Sequence, residues 1–241
     1  MIHGSGCGYQ EVRERHRPFL LQAARQARVR ETTAGEDQRE VDGVRLPVLA
    51  LASSTAVDVL DVGTGLTALP SLLRTCGYVV TAIDNMSDYW PLGTTNRHYH
   101  VVDDDITRTR MDRKFDSICC ISTLEHVEDY DAAVSNMFGL LEPGGLLMMS
   151  FPYSEASFVE NVYKLPGAGY GTEASYICRS YSRAELEGWV AAHDWSIKAQ
   201  EYWLVFSGEY WTFGEWLRPP VRTSANEPHQ LTCLLLEKGS A

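Results

Sequence analysis

The sequence lacks long apolar segments and the cysteine patterns of secreted proteins. Its N-terminus has no apolar core of roughly 7–15 residues, as in a signal peptide, and no run approaches the ~18 apolar residues of a membrane-spanning helix. The six cysteines form no CxxC pair, and the adjacent Cys119 and Cys120 are expected to point to opposite faces of a strand. We therefore expect reduced, mostly buried thiols in a soluble, cytoplasmic chain that does not contact membranes.

Positive charge and metal-ligand spacings are also scarce. The net charge is -11, whereas proteins that bind nucleic acid usually present a basic surface. The histidines show no HExxH or Cys/His spacing, and the run 103–105 (DDD) lacks the glycine and distal glutamate of a calcium loop. Neither a nucleic-acid partner nor a bound metal is expected. The composition, 44% hydrophobic and 22% charged, is that of a globular protein.

Three parts of the chain differ in pattern. Residues 1–43 are predicted to form an arginine-rich helix (about 11–30) and a polar linker (31–43), which together would cap the cofactor. Residues 44–152 alternate apolar strands with helical segments, the pattern of a Rossmann-like cofactor-binding core. Residues 153–241 continue the same domain with acceptor-side insertions and the final strands.

The fold class predicted from this alternation is α/β. We expect a Rossmann-like sheet of seven mostly parallel strands with helices on both faces. The last two strands, WSIKAQEYWLVF and HQLTCLLLEK, are expected to form a hairpin at the sheet edge around an aromatic insertion, residues 208–229. A further helix is predicted over 182–193, with Ser182 as its N-cap and Glu185 in capping-box position.

A glycine turn stands at the start of this core, in the stretch LDVGTGLTALPSLL (60–73). Three acids, Asp61, Asp84 and Asp105, follow the first three predicted strands at intervals of 23 and 21 residues. Ligands of open parallel sheets bind beyond the carboxyl ends of the strands. The spacing therefore predicts three carboxylates along one rim of the sheet.

A dinucleotide is one possible ligand of the turn. Gly63, Gly65 and Ala68 match the G-x-G-x-x-G/A fingerprint, and Asp84 lies near the expected distance for a ribose-binding acid. However, the carboxylate of Asp61 would repel a pyrophosphate at the same helix N-terminus, and it would suit an ammonium or sulfonium group instead.

The sequence resembles the class I S-adenosylmethionine (SAM)-dependent methyltransferases over about residues 57–151. The resemblance rests on five motifs in order: VLDVGTG (59–65), VTAID (80–84), DDIT (104–107), FDSICCISTLEHV (115–127) and LEPGGLLMMSFP (141–152). The family's third glycine is replaced by Thr67.

This resemblance implies SAM as the cofactor and assigns roles to residues of the rim. Asp61, Gly63, Thr64 and Gly65 would line its methionine part, and Asp84 would accept hydrogen bonds from the ribose hydroxyls. Further contacts are implied for Asp105 with the adenine amino group, for Asn85 and Ile106 beside the ring, and for the backbone of Ser122 with the methionine end.

His126, in TLEHVED, follows the fourth predicted strand and is the candidate general base; the alternative is a histidine that merely packs at a helix start. Tyr153, Tyr210, Trp211 and Trp216 are the candidate substrate-binding residues among the aromatics that become frequent toward the C-terminus. The last three lie in the stretch 208–217, where large rings in a polar segment need a surface to bury against. The alternative for 208–217 is a packed loop without a role in binding.

Together these features predict a SAM-dependent methyltransferase for a small-molecule acceptor such as a sugar, an amino acid or a secondary metabolite. Two other classes stay open, namely a SAM-using enzyme of another reaction type, such as cyclisation of SAM, and an NAD-binding oxidoreductase. The sequence does not indicate an oligomeric state.

Overall fold

The computed structural model describes Leu51 and residues 56–65, 67–85 and 100–240. The predicted N-terminal helix and linker (1–43) lie outside the described residues, so their role as a cap stays a prediction. No helix in the part of the chain that is described is both long and apolar enough to cross a membrane.

A single sheet of nine strands forms the centre of the described chain. The strands are β1 (Asp58–Val62), β2 (Val79–Asp84), β3 (Val101–Asp103), β4 (Phe115–Ile121), β5 (Leu141–Ser154), β6 (Tyr181–Ser182), β7 (Trp195–Phe206), β8 (Trp216–Thr223) and β9 (Leu231–Lys238). Their order is β3-β2-β1-β4-β5-β9-β7-β8, with the short β6 pairing the end of β5. Strands β1 to β6 pair in parallel, whereas β9, β7 and β8 add antiparallel pairs. The predicted mostly parallel α/β sheet is confirmed.

Two details of the predicted topology are wrong. The sheet has nine strands rather than seven, because β6 was not expected and because part of the aromatic insertion forms β8. The two predicted final strands, β7 and β9, do pair antiparallel, but β9 lies between β5 and β7, so the hairpin at the edge is formed by β7 and β8. Pro219 and Pro220 lie in β8, and an edge strand tolerates proline because one side of it needs no N–H donors.

The α-helices of the described chain are α1 (Leu69–Thr75), α2 (Tyr130–Leu140) and α3 (Arg183–Ala192). Side chains cap the first turn of α2 and α3, whereas α1 begins at Leu69-Pro70 without a side-chain cap. In α2 the carboxylate of Asp129 accepts the Ala132 N–H (3.1 Å). In α3 the predicted capping box is confirmed, since the Ser182 side chain caps the helix and Glu185 accepts the Ser182 N–H (2.8 Å).

Apolar side chains fill both faces of the sheet. One cluster, with Cys120 and Met149, packs α2 and α3 against β4 and β5, and a second, with Cys119 and Leu73, packs α1 on the other face. The two adjacent cysteines therefore point to opposite faces, as predicted. The five described cysteines are buried thiols. The carboxyl ends of β1 to β5 are left as a common rim.

Candidate cofactor and acceptor site

The turn after β1, residues 63–67, is called the glycine loop here. Gly63 and Gly65 have φ of 68° and 52°, in the left-handed region that glycine adopts without a Cβ clash. The Gly63 N–H donates to the carbonyl of Ile83 (2.9 Å), and the Gly65 N–H donates to the carboxylate of Asp84 (2.8 Å). The loop is thus bonded to the end of β2, where the predicted ribose-binding acid lies.

Gly63 also faces a side chain from the far side of the rim. A Cβ at this position would lie 2.1 Å from Cγ2 of Thr123, which follows β4. The Thr123 hydroxyl lies 3.2 Å from the carbonyl oxygen of Gly63 and 3.1 Å from that of Ile121. Thr123 therefore joins the glycine loop to the turn after β4, and only glycine leaves room for it.

Asp61, the last acid before the glycine loop, is 2% exposed. Burial raises its pKa to about 7; the Thr64 side chain lowers that pKa and the charge of Asp84 raises it. Among the described residues, Oδ2 of Asp61 has no hydrogen-bond partner. A buried carboxylate without a partner is costly, and a bound cation would supply the missing interaction.

The turn after β3 is built around two neighbouring acids. Asp104 is 7% exposed and accepts the Thr109 hydroxyl (2.6 Å), which ties the turn together. Asp105 accepts the N–H and the hydroxyl of Thr107 (3.0 and 2.8 Å) and pairs with Arg108 (3.1 Å). A carboxylate has about four acceptor sites. Asp105 is therefore occupied locally but retains room for one more donor.

The glycine loop and these acids fit the SAM site that the resemblance implies. The orphaned oxygen of Asp61 suits the cationic methionine end, and a Cβ at Gly65 would meet none of the described residues within 4 Å. Asn85 follows β2, and Ile106 is 6% exposed beneath the Asp105 turn. Thr67, in place of the third glycine, donates its N–H to the carbonyl of Thr64 (3.1 Å) and closes the loop.

The turn after β4, residues 122–127, is called the β4 turn here. It begins at Ser122, an exposed residue with φ of 49° whose N–H donates to the carbonyl of Ser150 (2.9 Å). Non-glycine residues in this conformation carry strain and cluster at functional sites. Three bonds from the segment before α3 then fix successive residues: Tyr181 hydroxyl to Leu124 carbonyl (2.8 Å), Arg179 N–H to Glu125 carbonyl (3.0 Å) and His126 Nδ1 to Ile177 carbonyl (2.6 Å).

The third of these bonds fixes the tautomer of His126. A carbonyl oxygen only accepts, so Nδ1 of His126 carries the hydrogen that it donates to Ile177. In the neutral ring Nε2 is then the unprotonated nitrogen, the form that a general base requires. The imidazole is partly exposed, with 33% of its side-chain surface accessible.

Aromatic rings continue from His126 along residues 155–180, the segment between β5 and β6 that is called the tyrosine segment here. The ring of Tyr176 lies edge-on to that of His126 (4.8 Å), and Tyr163 lies 6.1 Å from Tyr176. Tyr163 is buried, whereas Tyr170 and Tyr176 are each 38% exposed. The candidate base thus borders a partly open aromatic surface.

The predicted acceptor-binding aromatics separate into three environments. Trp211 is half-buried between Phe206 (5.1 Å) and the cluster that contains Tyr163, so it packs behind the tyrosine segment. Tyr210 lies in the same turn, half-buried against Phe213. Two further residues lie apart from this surface: Trp216 in β8 under the guanidinium of Arg218 (3.9 Å), and Tyr153 in the core, 0% exposed. Because Tyr153 presents no surface, we leave it out of the proposed acceptor site.

Sequence reasoning missed Glu125, Thr123 and Ile177. Glu125 adjoins a polar histidine in a charged stretch, which is the usual pattern of an exposed turn, yet it is 3% exposed. Ile177 acts through its carbonyl oxygen, which every residue type carries, so no residue pattern signals it. Only the pairing of distant segments reveals these three positions.

The model of a family described as a methyltransferase domain matches residues 15–200 of the chain. The match covers more than half of the sequence and includes the glycine loop, the rim acids and the β4 turn. The chain belongs to this family, the class I SAM-dependent methyltransferases, whose cofactor is SAM. The dinucleotide alternative is set aside on this ground.

Similar individual proteins are enzymes of the same class. An "Ubiquinone biosynthesis O-methyltransferase" of Coxiella burnetii is 32% identical over 119 residues, which are 46% of this chain and 50% of that protein. The chain therefore spans about half the length of the curated relatives that it matches. A SAM-dependent methyltransferase from Methanosarcina mazei has a TM-score of 0.56 at 16% identity, covering 81% of this chain and 98% of that one. The 1,6-didemethyltoxoflavin-N1-methyltransferase of Burkholderia thailandensis has the same TM-score and identity, over 99% and 92%. The two structures support the fold.

Proposed function

We propose that the protein transfers a methyl group from SAM to a hydroxyl oxygen of a small-molecule acceptor, with His126 as the general base. The observation that carries this proposal is the 2.6 Å hydrogen bond between His126 Nδ1 and the Ile177 carbonyl, from which the tautomer follows. The Ile177 carbonyl holds the hydrogen on Nδ1 and leaves Nε2 free to take a proton at the rim.

The cofactor supplies a methyl group activated by a sulfonium sulfur. The residues proposed to hold it are Asp61 and the glycine loop at the methionine end, Asp84 at the ribose, and Asp105 with Ile106 at the adenine. The protein then has to orient the acceptor and exclude water, because methyl transfer depends on in-line positioning. His126 accepts the proton that a hydroxyl nucleophile must lose.

An acceptor with a hydroxyl group is supported by two further observations. The chain resembles O-methyltransferases of ubiquinone biosynthesis over about half of their length. The surface beside His126 is aromatic, with Tyr170 and Tyr176 partly exposed, and such rings bind planar or apolar small molecules. The acidic net charge of -11 disfavours a nucleic-acid acceptor.

Two measurements test the proposal. Calorimetry should detect binding of S-adenosylhomocysteine (SAH) but not of NAD or NADP, and Asp84→Ala should weaken that binding by about 10–100-fold through the loss of charge-assisted hydrogen bonds. Incubation with SAM and a panel of phenols, sugars and amino acids, followed by mass spectrometry, should give an acceptor product 14 Da heavier (about one CH₂, as methyl replaces hydrogen).

The base is tested with His126→Gln and the acceptor found by the panel. We expect kcat to fall by ~10²–10⁴ while SAH affinity stays within a few-fold. Full kcat in this variant would remove His126 from the mechanism. A product formed from SAM without any acceptor would instead indicate a cyclisation of the cofactor.

A further inference from the structure

Glu125 is a buried carboxylic acid beside Nε2, the proton-accepting nitrogen of the candidate base. It is 3% exposed, and its Oε1 lies 4.0 Å from Nε2 of His126. Within the part of the chain that the structure describes, its other oxygen, Oε2, has no hydrogen-bond partner. A buried carboxylate is expensive without a partner charge, and the nearest group able to provide one is the imidazole.

Among the described residues around Glu125, no other cation is directed at its carboxylate. Burial is the largest cause of the raised pKa of Cys120, Cys178 and Tyr181, and the charge of Glu125 raises the pKa of each further. The guanidinium of Arg179 is directed elsewhere, to Glu160 (2.6 Å) and to the carbonyl of Val127. Burial raises the pKa of Glu125 and the charge of His126 lowers it, so the acid and the imidazole are coupled.

We propose that Glu125 is a positioning residue that stabilises the imidazolium form of His126 when the latter takes a proton from the acceptor hydroxyl. This inference rests on the function proposed above. The proton moves from the hydroxyl oxygen to Nε2, Nδ1 keeps its hydrogen on the Ile177 carbonyl, and the carboxylate supplies the opposite charge without itself accepting the proton. At 4.0 Å, with the carboxylate buried and the imidazole partly exposed, this attraction is less screened by water than that between two exposed groups.

The arrangement also indicates the class of acceptor. A site that stabilises a protonated base suits a nucleophile that has to lose a proton, such as a hydroxyl group. A neutral amine can attack through its lone pair without prior proton loss and gains less from such a pair. Glu125 and His126 together therefore favour hydroxyl acceptors over amines.

The decisive test is nuclear magnetic resonance of histidine-labelled protein, free and with SAH, in the unmodified chain and in Glu125→Gln. Nitrogen-15 shifts should place the hydrogen of neutral His126 on Nδ1. In Glu125→Gln the His126 ring should take up its proton at a lower pH than in the unmodified chain, because the opposite charge 4.0 Å from Nε2 is removed. Glu128→Gln, which removes an exposed carboxylate from the adjoining sequence, is the matched control and should leave the titration unchanged. An unchanged titration in Glu125→Gln, or a hydrogen on Nε2, would overturn the proposal.

A second variant covers the case in which Glu125→Gln does not fold. In His126→Gln, the carboxyl carbon-13 signal of Glu125 should titrate at a higher pH, because the attraction that lowers the pKa of Glu125 is lost. No change would contradict the coupling.

With a known acceptor, Glu125→Gln should lower kcat by about 10-fold or more and move the acid limb of the pH–rate profile to lower pH, at unchanged SAH affinity. A purely structural role would lower stability without moving that limb. The proposed role of Glu125 and the proposed function can fail separately. The spectra test Glu125 without an acceptor, whereas absent SAH binding or absent methyl transfer would contradict the proposed function.

Discussion

The glycine loop and the β4 turn lie on the same rim, but the chain assembles them in different ways. The bond from Gly65 to Asp84 spans 19 residues, and the loop is made of consecutive positions. The β4 turn is held by bonds that span 51 and 57 residues, from His126 to Ile177 and from Leu124 to Tyr181. A sequence motif can therefore predict the glycine loop, whereas the β4 turn depends on how the chain from the tyrosine segment to β6 folds onto it.

The two halves of the rim, the cofactor side with the glycine loop and the acceptor side with the β4 turn, nevertheless share one feature. Each contains a buried carboxylate with one oxygen unpaired among the described residues. Asp61 is 2% exposed on the cofactor side and Glu125 is 3% exposed on the acceptor side. Burial raises the pKa of both. We infer that each is matched to a positive charge that appears only during function, the methionine ammonium for Asp61 and the imidazolium of His126 for Glu125.

The largest effect is expected where the two halves touch, at Gly63. In Gly63→Ala the new Cβ would lie 2.1 Å from Thr123 and the φ of 68° would be strained. We expect a loss of about 2–5 kcal/mol in the free energy of unfolding and at least ~100-fold weaker SAH binding, because overpacking and left-handed strain combine. Urea denaturation and calorimetry measure the two quantities.

Gly65→Ala is the matched control for this substitution. The φ of Gly65 is 52°, but a Cβ there would meet nothing within 4 Å in the part of the chain that the structure describes. Only the strain of about 1–2 kcal/mol should remain. Equal losses in the two variants would show that the contact with Thr123 does not hold the halves together.

A smaller effect, with opposite signs on stability and binding, is expected for Asp61→Asn. The folded pKa of about 7 lies above the ordinary pKa of 3.8, so the cofactor-free folded state binds the proton more tightly than the unfolded state. The stability that this proton contributes is fully present below about pH 4 and is lost as the pH rises through 7. At pH 8 the free energy of unfolding of Asp61→Asn should therefore be about 2–4 kcal/mol larger than that of the unmodified protein without cofactor.

Binding should respond in the reverse sense. The ammonium of SAH needs the ionised carboxylate, so the affinity of the unmodified protein should rise with pH up to about 7 and then level off. Asp61→Asn should bind SAH about 10–100-fold more weakly above pH 7. Its affinity should change little as the pH passes through 7, because asparagine does not ionise. A variant that binds as tightly as the unmodified protein would remove Asp61 from the cofactor site.

The same contrast explains which features the sequence predicts. Asp61, Gly63 and Asp84 lie within one strand-helix-strand unit, so their spacing alone places them on the rim. The helix over 182–193 is equally local, because Ser182 and Glu185 form its cap within one turn. In contrast, β8 was missed because Pro219 and Pro220 suggest an irregular segment, and an edge position is what makes them compatible with a strand.

Long-range features escaped for a different physical reason. Glu125 is buried beside the end of the tyrosine segment, where the Arg179 N–H, 54 residues away in sequence, donates to its carbonyl, and local polarity predicts the opposite. Tyr153 was predicted at the acceptor surface, but it lies in the part of β5 in which residues 147–153 are all buried, and it is 0% exposed. Burial of this kind depends on which elements cover the two faces of the strand, and the sequence alone leaves that open.

The smallest expected effect concerns Trp211, which links the turn 208–215 to the tyrosine segment. The turn itself is fixed by Gln230, which is 2% exposed. The side-chain carbonyl of Gln230 accepts the N–H groups of Val205 and Phe206 (3.0 and 3.2 Å). The side-chain amide of Gln230 donates to the carbonyl of Gly208. Trp211 is half-buried behind Tyr163, and its removal should cost about 1–3 kcal/mol of stability, less than a fully buried ring. We expect Trp211→Ala to raise the acceptor KM several-fold, because the aromatic surface beside His126 loses its support, while SAH affinity stays within a few-fold.

Trp216→Ala is the matched control, since Trp216 is also half-buried but lies in the edge strand β8 under Arg218. It should lower the melting temperature by a similar amount and leave the acceptor KM unchanged. If both variants change the KM alike, the effect comes from general loosening rather than from support of the tyrosine segment. Before an acceptor is known, the rate of backbone hydrogen exchange in residues 163–178 provides the same comparison. We expect faster exchange in Trp211→Ala but not in Trp216→Ala. The reason is that Trp211, unlike Trp216, packs on the cluster of Val162, Tyr163 and Cys178.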